Sequence, residues 1–147
     1  MKKNCILCEP GAREKVVLHG GKWRIILADE AWYPGFCRVI WAAHVAEMTD
    51  LEEKDRQEIM TVVFAVEQAI RHVMRPDKVN LASFGNMVPH LHWHVIPRFS
   101  DDAHFPESVW GQKQREPDPL VLQNRRALLP ELERLIRQIP DKPVKAL

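Results

Sequence analysis

The sequence predicts an α+β fold, and three observations carry that reading. Short runs rich in β-branched and aromatic residues read as strands over residues 14–18, 22–27, 36–41, 79–84 and 90–96. One long amphipathic pattern over residues 49–74 reads as a helix that covers a face of the sheet. A second amphipathic pattern over residues 124–139 reads as a C-terminal helix. At 147 residues the chain fits one domain, with a core over about residues 14–99 and a loop and helix over residues 100–147.

The first twelve residues carry two lysines but no apolar leader segment, and no later run reaches the length of a membrane span. A cytoplasmic protein is therefore expected. The formal charge is only +1, which leaves no bulk field to draw the chain to nucleic acid or a membrane. Its partners must be chosen by a site.

Three cysteines, Cys5, Cys8 and Cys37, do not suit a secreted disulfide framework. Cys5 and Cys8 form a Cys-x-x-Cys pair, which is half of a tetrahedral zinc site or simply two small buried thiols. No second such pair follows, so the residues alone leave both readings open.

His19-Gly20-Gly21 joins the first two strands as a hairpin turn. A loop over residues 28–35 follows, ending in the turn signal Pro34-Gly35. Asp29 stands where the second strand ends, placed to accept hydrogen bonds from a ribose or to serve as an ordinary turn aspartate. Thr49-Asp50-Leu51-Glu52 has capping-box spacing and opens the long helix, which Arg75-Pro76 stops after Met74. Its residues Ile59, Val62, Val63, Val66, Ile70 and Val73 make one apolar stripe. His44 precedes that helix, and His72 falls in its last turn, where a charged imidazole favours the helix dipole.

Gly85-Asn86 turns the chain into the most informative stretch, His90-Leu91-His92-Trp93-His94-Val95-Ile96. Strand side chains alternate faces, so the three imidazoles share one side while Leu91, Trp93 and Val95 enter the core. Such a row can bind a metal, hold a phosphate or supply a nucleophile, because imidazole changes charge near neutral pH at little cost. Residues 99–119 show several prolines and no period, hence a loop, with Trp110-Gly111 within it as an aromatic for base stacking, for an interface or for packing on the core edge. In the C-terminal helix Leu128, Leu132, Leu135, Ile136 and Ile139 share a side, and Pro130 either kinks it or begins a fresh helix. The tail from Pro140 is expected to fray.

The histidine stretch, extended by Pro97-Arg98, Gly85-Asn86, Asn80 and Pro34-Gly35, resembles the signature of the histidine triad (HIT) family of nucleotide hydrolases and transferases. That resemblance implies an antiparallel sheet of about five strands backed by the long helix, doubled by homodimerisation into a ten-stranded sheet. It implies cleavage at the α-phosphorus of a dinucleoside polyphosphate or nucleoside phosphoramidate, with His92 as nucleophile, a nucleotidyl-histidine intermediate and His94 as phosphate holder. It also implies nucleotide contacts from Asp29, Asn80, Gly85, Asn86, Met87, Val88 and His94. By the same resemblance Cys5, Cys8, His44 and His90 form a structural zinc site, and no catalytic metal is expected.

Two departures stand out from the family pattern. Met87 replaces a Ser or Thr whose hydroxyl would donate near the scissile bond, which motivates the alternative of a nucleotide-binding regulatory or scaffold dimer with weak catalysis. Phe36 replaces a histidine found after Pro-Gly in other branches, and suggests an apolar wall.

Overall fold

The computed structural model describes residues 4–9, 11–12 and 14–142. Five strands, β1 (Lys15–His19), β2 (Trp23–Leu27), β3 (Cys37–Trp41), β4 (Lys78–Ala82) and β5 (His92–Arg98), form one antiparallel sheet in the order β1-β2-β3-β5-β4. Between β3 and β4 runs α1 (Glu53–Met74), and the chain closes with α2 (Pro119–Arg126) and α3 (Leu129–Ile136). The expected fold class is the observed one.

One face of the sheet is the floor of the core. Ile25, Val39 and Val95 from three neighbouring strands pack under Ile59, Val62, Val63, Val66 and Ile70 of α1, with Leu132 and Ile136 of α3 beside them. The alternation of β2, β3 and β5 sends the intervening side chains, Ile26, Arg38, Ile40, His92 and His94, to the opposite face. There a smaller cluster of Cys5, Leu7, Ile26 and Ile40 seats the N-terminal segment, and a third of Tyr33, Phe36 and Ile96 seats the loop between β2 and β3. Arg24 fastens the first of these by donating to Glu14 and to the Leu7 carbonyl.

Register fixes what meets what across the chemical face. Arg38 lies opposite His94, and Ile40 opposite His92, in the β3–β5 pair. Gly35 is required by its turn, since it has φ +89° and a Cβ there would sit 2.3 Å from the Met74 sulfur.

Three local expectations shift. The capping box is made two residues earlier, by Glu47 and Asp50 around a 3-10 turn at Met48–Asp50, and α1 starts only at Glu53. Asp50 is consumed by that turn, so the Thr49 spacing is coincidental. The C-terminal helix divides at Pro130, which stands in the first turn of α3, and its first half begins at Pro119, capped by Asp118 accepting from the Leu120 amide. The tail remains attached at Asp141, whose carboxylate accepts from the Gly21 amide at 2.5 Å; residues 143–147 lie outside the described residues.

Candidate active site

β5 begins at His92, so His90 sits in the bend just ahead of it rather than inside the strand. That placement divides the row into one imidazole turned to the N-terminal segment and two at a cleft. His90 is fully buried and donates through Nε2 to the Trp41 carbonyl at 2.6 Å. With that proton assigned, a neutral ring leaves Nδ1 as a bare lone pair. Around Nδ1 stand Cys5 Sγ at 3.5 Å, Cys8 Sγ at 3.4 Å and His44 Nδ1 at 3.3 Å, while Cys8 Sγ lies 3.3 Å from His44 Nδ1.

Tetrahedral zinc bonded at its usual lengths requires S···N edges of about 3.6 Å and N···N edges of about 3.3 Å. The observed separations match those edges, and all four donor atoms lie within 4.8 Å of one another. The orienting bond from His90 to a main-chain carbonyl is the support expected behind a metal-bound imidazole. The donor set therefore fits zinc, with four protein ligands and no open position. This is the Cys5, Cys8, His44, His90 grouping expected from sequence.

His92 is held by the same residue. Its Nδ1 donates to the His90 carbonyl at 2.6 Å, which leaves Nε2 as the unprotonated, nucleophilic nitrogen. Burial, partly offset by that carbonyl and reinforced by the Arg38 charge, lowers its pKa and favours the neutral ring. His94 follows, its ring edge to face with that of His92 at a centroid separation of 5.0 Å. Arg38 donates through Nε to His94 Nδ1 at 3.3 Å. An acceptor at Nδ1 places the His94 proton on Nε2, so His94 is a neutral donor. Burial first, then the charges of His92 and Arg38, bring its pKa down to about 4.

His92 and His94 open onto a cleft of about 380 Å³, walled by Phe84, Met87, Val88 and Trp110 with Gly85 and Asn86 at its turn. Gly85 has φ +84°, a backbone that exposes the neighbouring amides. Met87 is 95% exposed at the mouth. Phe36, expected from sequence as an apolar wall, is buried with its ring edge to face against His94 at 5.6 Å and lines a neighbouring hollow rather than this cleft.

Two expected nucleotide contacts sit elsewhere. Asn80 accepts from Arg98 at 2.7 Å and does not line this cleft. Asp29 is exposed in the loop after β2, also away from the cleft lining.

Apart from Arg38, the residues that sequence reasoning missed belong to one buried network around Arg98. Arg98 donates to Asp102 from Nε at 2.8 Å and Nη2 at 3.1 Å, and to the Glu107 carbonyl at 2.7 Å. Asp102 also accepts from the amides of Phe99, His104 and Phe105, and from the Tyr33 hydroxyl at 3.3 Å. These bonds fix the loop that places Trp110 against the His94 ring at 5.0 Å and the Phe84 ring at 4.9 Å. For Arg38 a signal existed: it is a lone charge in a β-branched strand, in phase with the face that carries the histidines.

Comparison with known proteins agrees with this arrangement. The HIT domain family model matches residues 9–101. An AP-4-A phosphorylase of Mycobacterium tuberculosis is 30% identical over 120 residues, covering 78% of this chain; the chain spans 60% of that relative's length. Among solved structures, a histidine triad protein from Bradyrhizobium japonicum is 29% identical, with a TM-score of 0.67 over 84% of this chain and 90% of its own. A Zn-bound histidine triad family protein from Mycobacterium smegmatis shares the fold, with a TM-score of 0.56, 21% identity and coverage of 88% and 94%.

Proposed function

Given that the chain belongs to the histidine triad (HIT) family, we propose that it is a nucleotide phosphohydrolase or nucleotidyl transferase that breaks a phosphoanhydride or phosphoramidate bond at an α-phosphorus. The observation that carries this reading is the 2.6 Å bond from His92 Nδ1 to the His90 carbonyl, which aims a bare Nε2 at the cleft. Substrates of the dinucleoside polyphosphate or nucleoside phosphoramidate class fit the reading, and the M. tuberculosis relative's description as an AP-4-A phosphorylase supports the first.

In the proposed reaction Nε2 of His92 attacks the α-phosphorus and forms a P–N bond. The P–O or P–N bond to the leaving group breaks and the leaving group keeps its electron pair, departing as a phosphate oxyanion or, for a phosphoramidate, as an amine that takes a proton from solvent. A neutral ring suits this attack, because an anionic nucleophile would be repelled by the non-bridging oxygens. The phosphorylated ring becomes cationic, and the His90 carbonyl already accepts its Nδ1 proton. His94 Nε2–H and the amides of the Gly85 turn donate to the phosphoryl oxygens as their charge grows. Water or phosphate then attacks phosphorus from the opposite side, the P–N bond breaks with its electron pair returning to Nε2, His92 returns to its neutral form, and the proton of the attacking water passes to solvent.

Zinc at Cys5, Cys8, His44 and His90 is proposed as structural: when bound it would cross-link the N-terminal segment to the start of β5, and a full ligand set gives it no chemistry of its own. A single HIT domain spanning the chain, a homodimer and a cytoplasmic setting complete the reading. Among the described residues no helix is long and apolar enough to cross a membrane.

The test is His92→Asn assayed on a dinucleoside polyphosphate and on a nucleoside phosphoramidate. Turnover falls by at least a thousandfold on either, about the scale of removing a covalent nucleophile, while nucleotide affinity persists. Parent-like turnover in this variant removes the mechanism. The second reading, a nucleotide-binding dimer with weak catalysis, rests on Met87, whose exposed thioether offers no hydroxyl donor at the mouth. Tight nucleotide binding with negligible product release by the parent protein would favour it.

A further inference from the structure

The HIT domain match ends at residue 101, yet the loop beyond it builds a second hollow beside the histidine cleft. This hollow, of about 260 Å³, lies between the loop after β2 and the loop after β5, with Trp32, Tyr33, Phe36 and Trp110 as aromatic walls and Glu30 at its edge. Trp110 lines both cavities, and its indole packs against His94. The two spaces therefore share the Trp110 indole, which packs on the residue that would hold the reacting phosphate.

His104 supplies the hollow's polar group. It is nine-tenths buried, and its Nδ1 lies 2.5 Å from the Tyr33 oxygen. Asp102 accepts the Tyr33 hydroxyl proton, so the Tyr33 oxygen accepts in turn from His104 Nδ1–H, and Nε2 is left as a lone pair. Trp23 Nε1 is the one fully buried side-chain nitrogen or oxygen without a partner among the described residues. His104 Nε2, which also has none there, is thus reached through the hollow it lines. An aromatic slot with a buried acceptor suits a flat heterocycle that carries N–H groups. Arg38, which donates to His94 and pairs with Glu30 at 3.8 Å, places a cation between the slot and the cleft, and the Lys113 ammonium lies 4.8 Å from the Trp32 ring centroid.

We propose that this hollow is a subsite for the second nucleobase of a dinucleoside polyphosphate, with Trp32 and Trp110 as stacking surfaces and His104 as its acceptor. The assignment rests on the nucleotide-processing reading and narrows it, since a nucleoside phosphoramidate with a small leaving group would leave the hollow empty.

The experiment compares diadenosine tetraphosphate with adenosine 5′-tetraphosphate, which shares the four-phosphate chain and carries a free terminal phosphate in place of the second nucleoside. Comparison with Trp32→Ala removes that charge difference from the result. Two quantities are read: the ratio of kcat/KM values in the parent, and the ratio of Kd values in His92→Asn protein. Stacking one base favours the dinucleoside by about tenfold or more in both ratios. Trp32→Ala, at a side chain already 39% exposed and so tolerant of replacement, brings both ratios toward one. A parent ratio near one, or a ratio unchanged in Trp32→Ala, overturns the subsite. Absence of cleavage together with a dinucleoside preference in binding would defeat the catalytic reading while supporting the subsite. His92-dependent cleavage without any preference would defeat the subsite alone.

Discussion

Replacing Asp102 by asparagine keeps the side-chain shape and removes the charge on which the loop after β5 is fastened. Both Arg98 and Asp102 side chains are almost completely shielded from water, at 3% and 2% exposure. Burial alone would raise the carboxyl pKa, but the Arg98 hydrogen bonds and the amides of Phe99, His104 and Phe105 outweigh it and bring the value down to about 2. Asparagine leaves a buried guanidinium without its counter-charge and turns an amide donor toward a group of donors. Breaking a buried pair on one side costs about 3–5 kcal/mol. For a chain of this size that lowers Tm by roughly 6–20 °C. Urea denaturation followed by tryptophan fluorescence, with calorimetry alongside, measures the loss. The sign with pH follows from a depressed carboxylate pKa: the stabilisation is present above the usual 3.8 and disappears as pH falls through about 2. Parent and variant therefore converge in acid. Adding Arg98→Met removes the orphaned cation, so the double variant loses less than the sum of the two single ones. A loss below about 1 kcal/mol at neutral pH, against the 3–5 expected for a buried pair, would refute the argument that this pair organises the loop.

Three further outcomes follow from the geometry. Cys8→Ser, or exhaustive chelation, removes zinc measured by mass spectrometry and lowers Tm. It also reduces turnover, because His90 carries both a donor nitrogen of the cluster and the carbonyl that orients His92; intact stability after metal loss would refute the structural assignment. His94 is uncharged in the folded state down to about 4, against 6.5 when free, so the unfolded chain binds the extra proton between those values. Stability then falls with acidification across that window by at most about 1.4 kcal/mol per pH unit, and His94→Gln flattens the slope seen in pH-dependent denaturation. Gly35→Ala forces a side chain into the left-handed region and against the Met74 sulfur. It costs about 1–3 kcal/mol, read as a shift in the urea midpoint.

The cleft was legible because a strand has a period of two, which sets His92 and His94 on one face of β5, whereas His90 stands in the bend before the strand and turns to the N-terminal segment instead. The helix stripe was legible for the same kind of reason: Ile59 through Ile70 repeat at helical spacing, and all of them are buried. What stayed hidden was held by distance along the chain. Tyr33 finds Asp102 69 residues away, and no local pattern announces which aspartate in a proline-rich loop will be shielded from water. Asn80 was singled out from the sequence, but its pairing was not. Its position pointed to a phosphate, whereas its oxygen is engaged by Arg98. The start of α2 was missed although Asp118-Pro119 is a cap followed by a first-turn proline, because the apolar period of that helix is weak and only Leu122 in it is buried.

The pairing of Arg38 with His94 across β3 and β5 has an implication for how the protein acquires its competence. Sliding one strand past the other by a single residue would turn the imidazoles of β5 toward α1 and bring valine or tryptophan to the cleft. A misaligned sheet would still be compact and helical, and inert. Recovery of turnover after denaturation is thus a stricter witness to the native alignment than recovery of ellipticity.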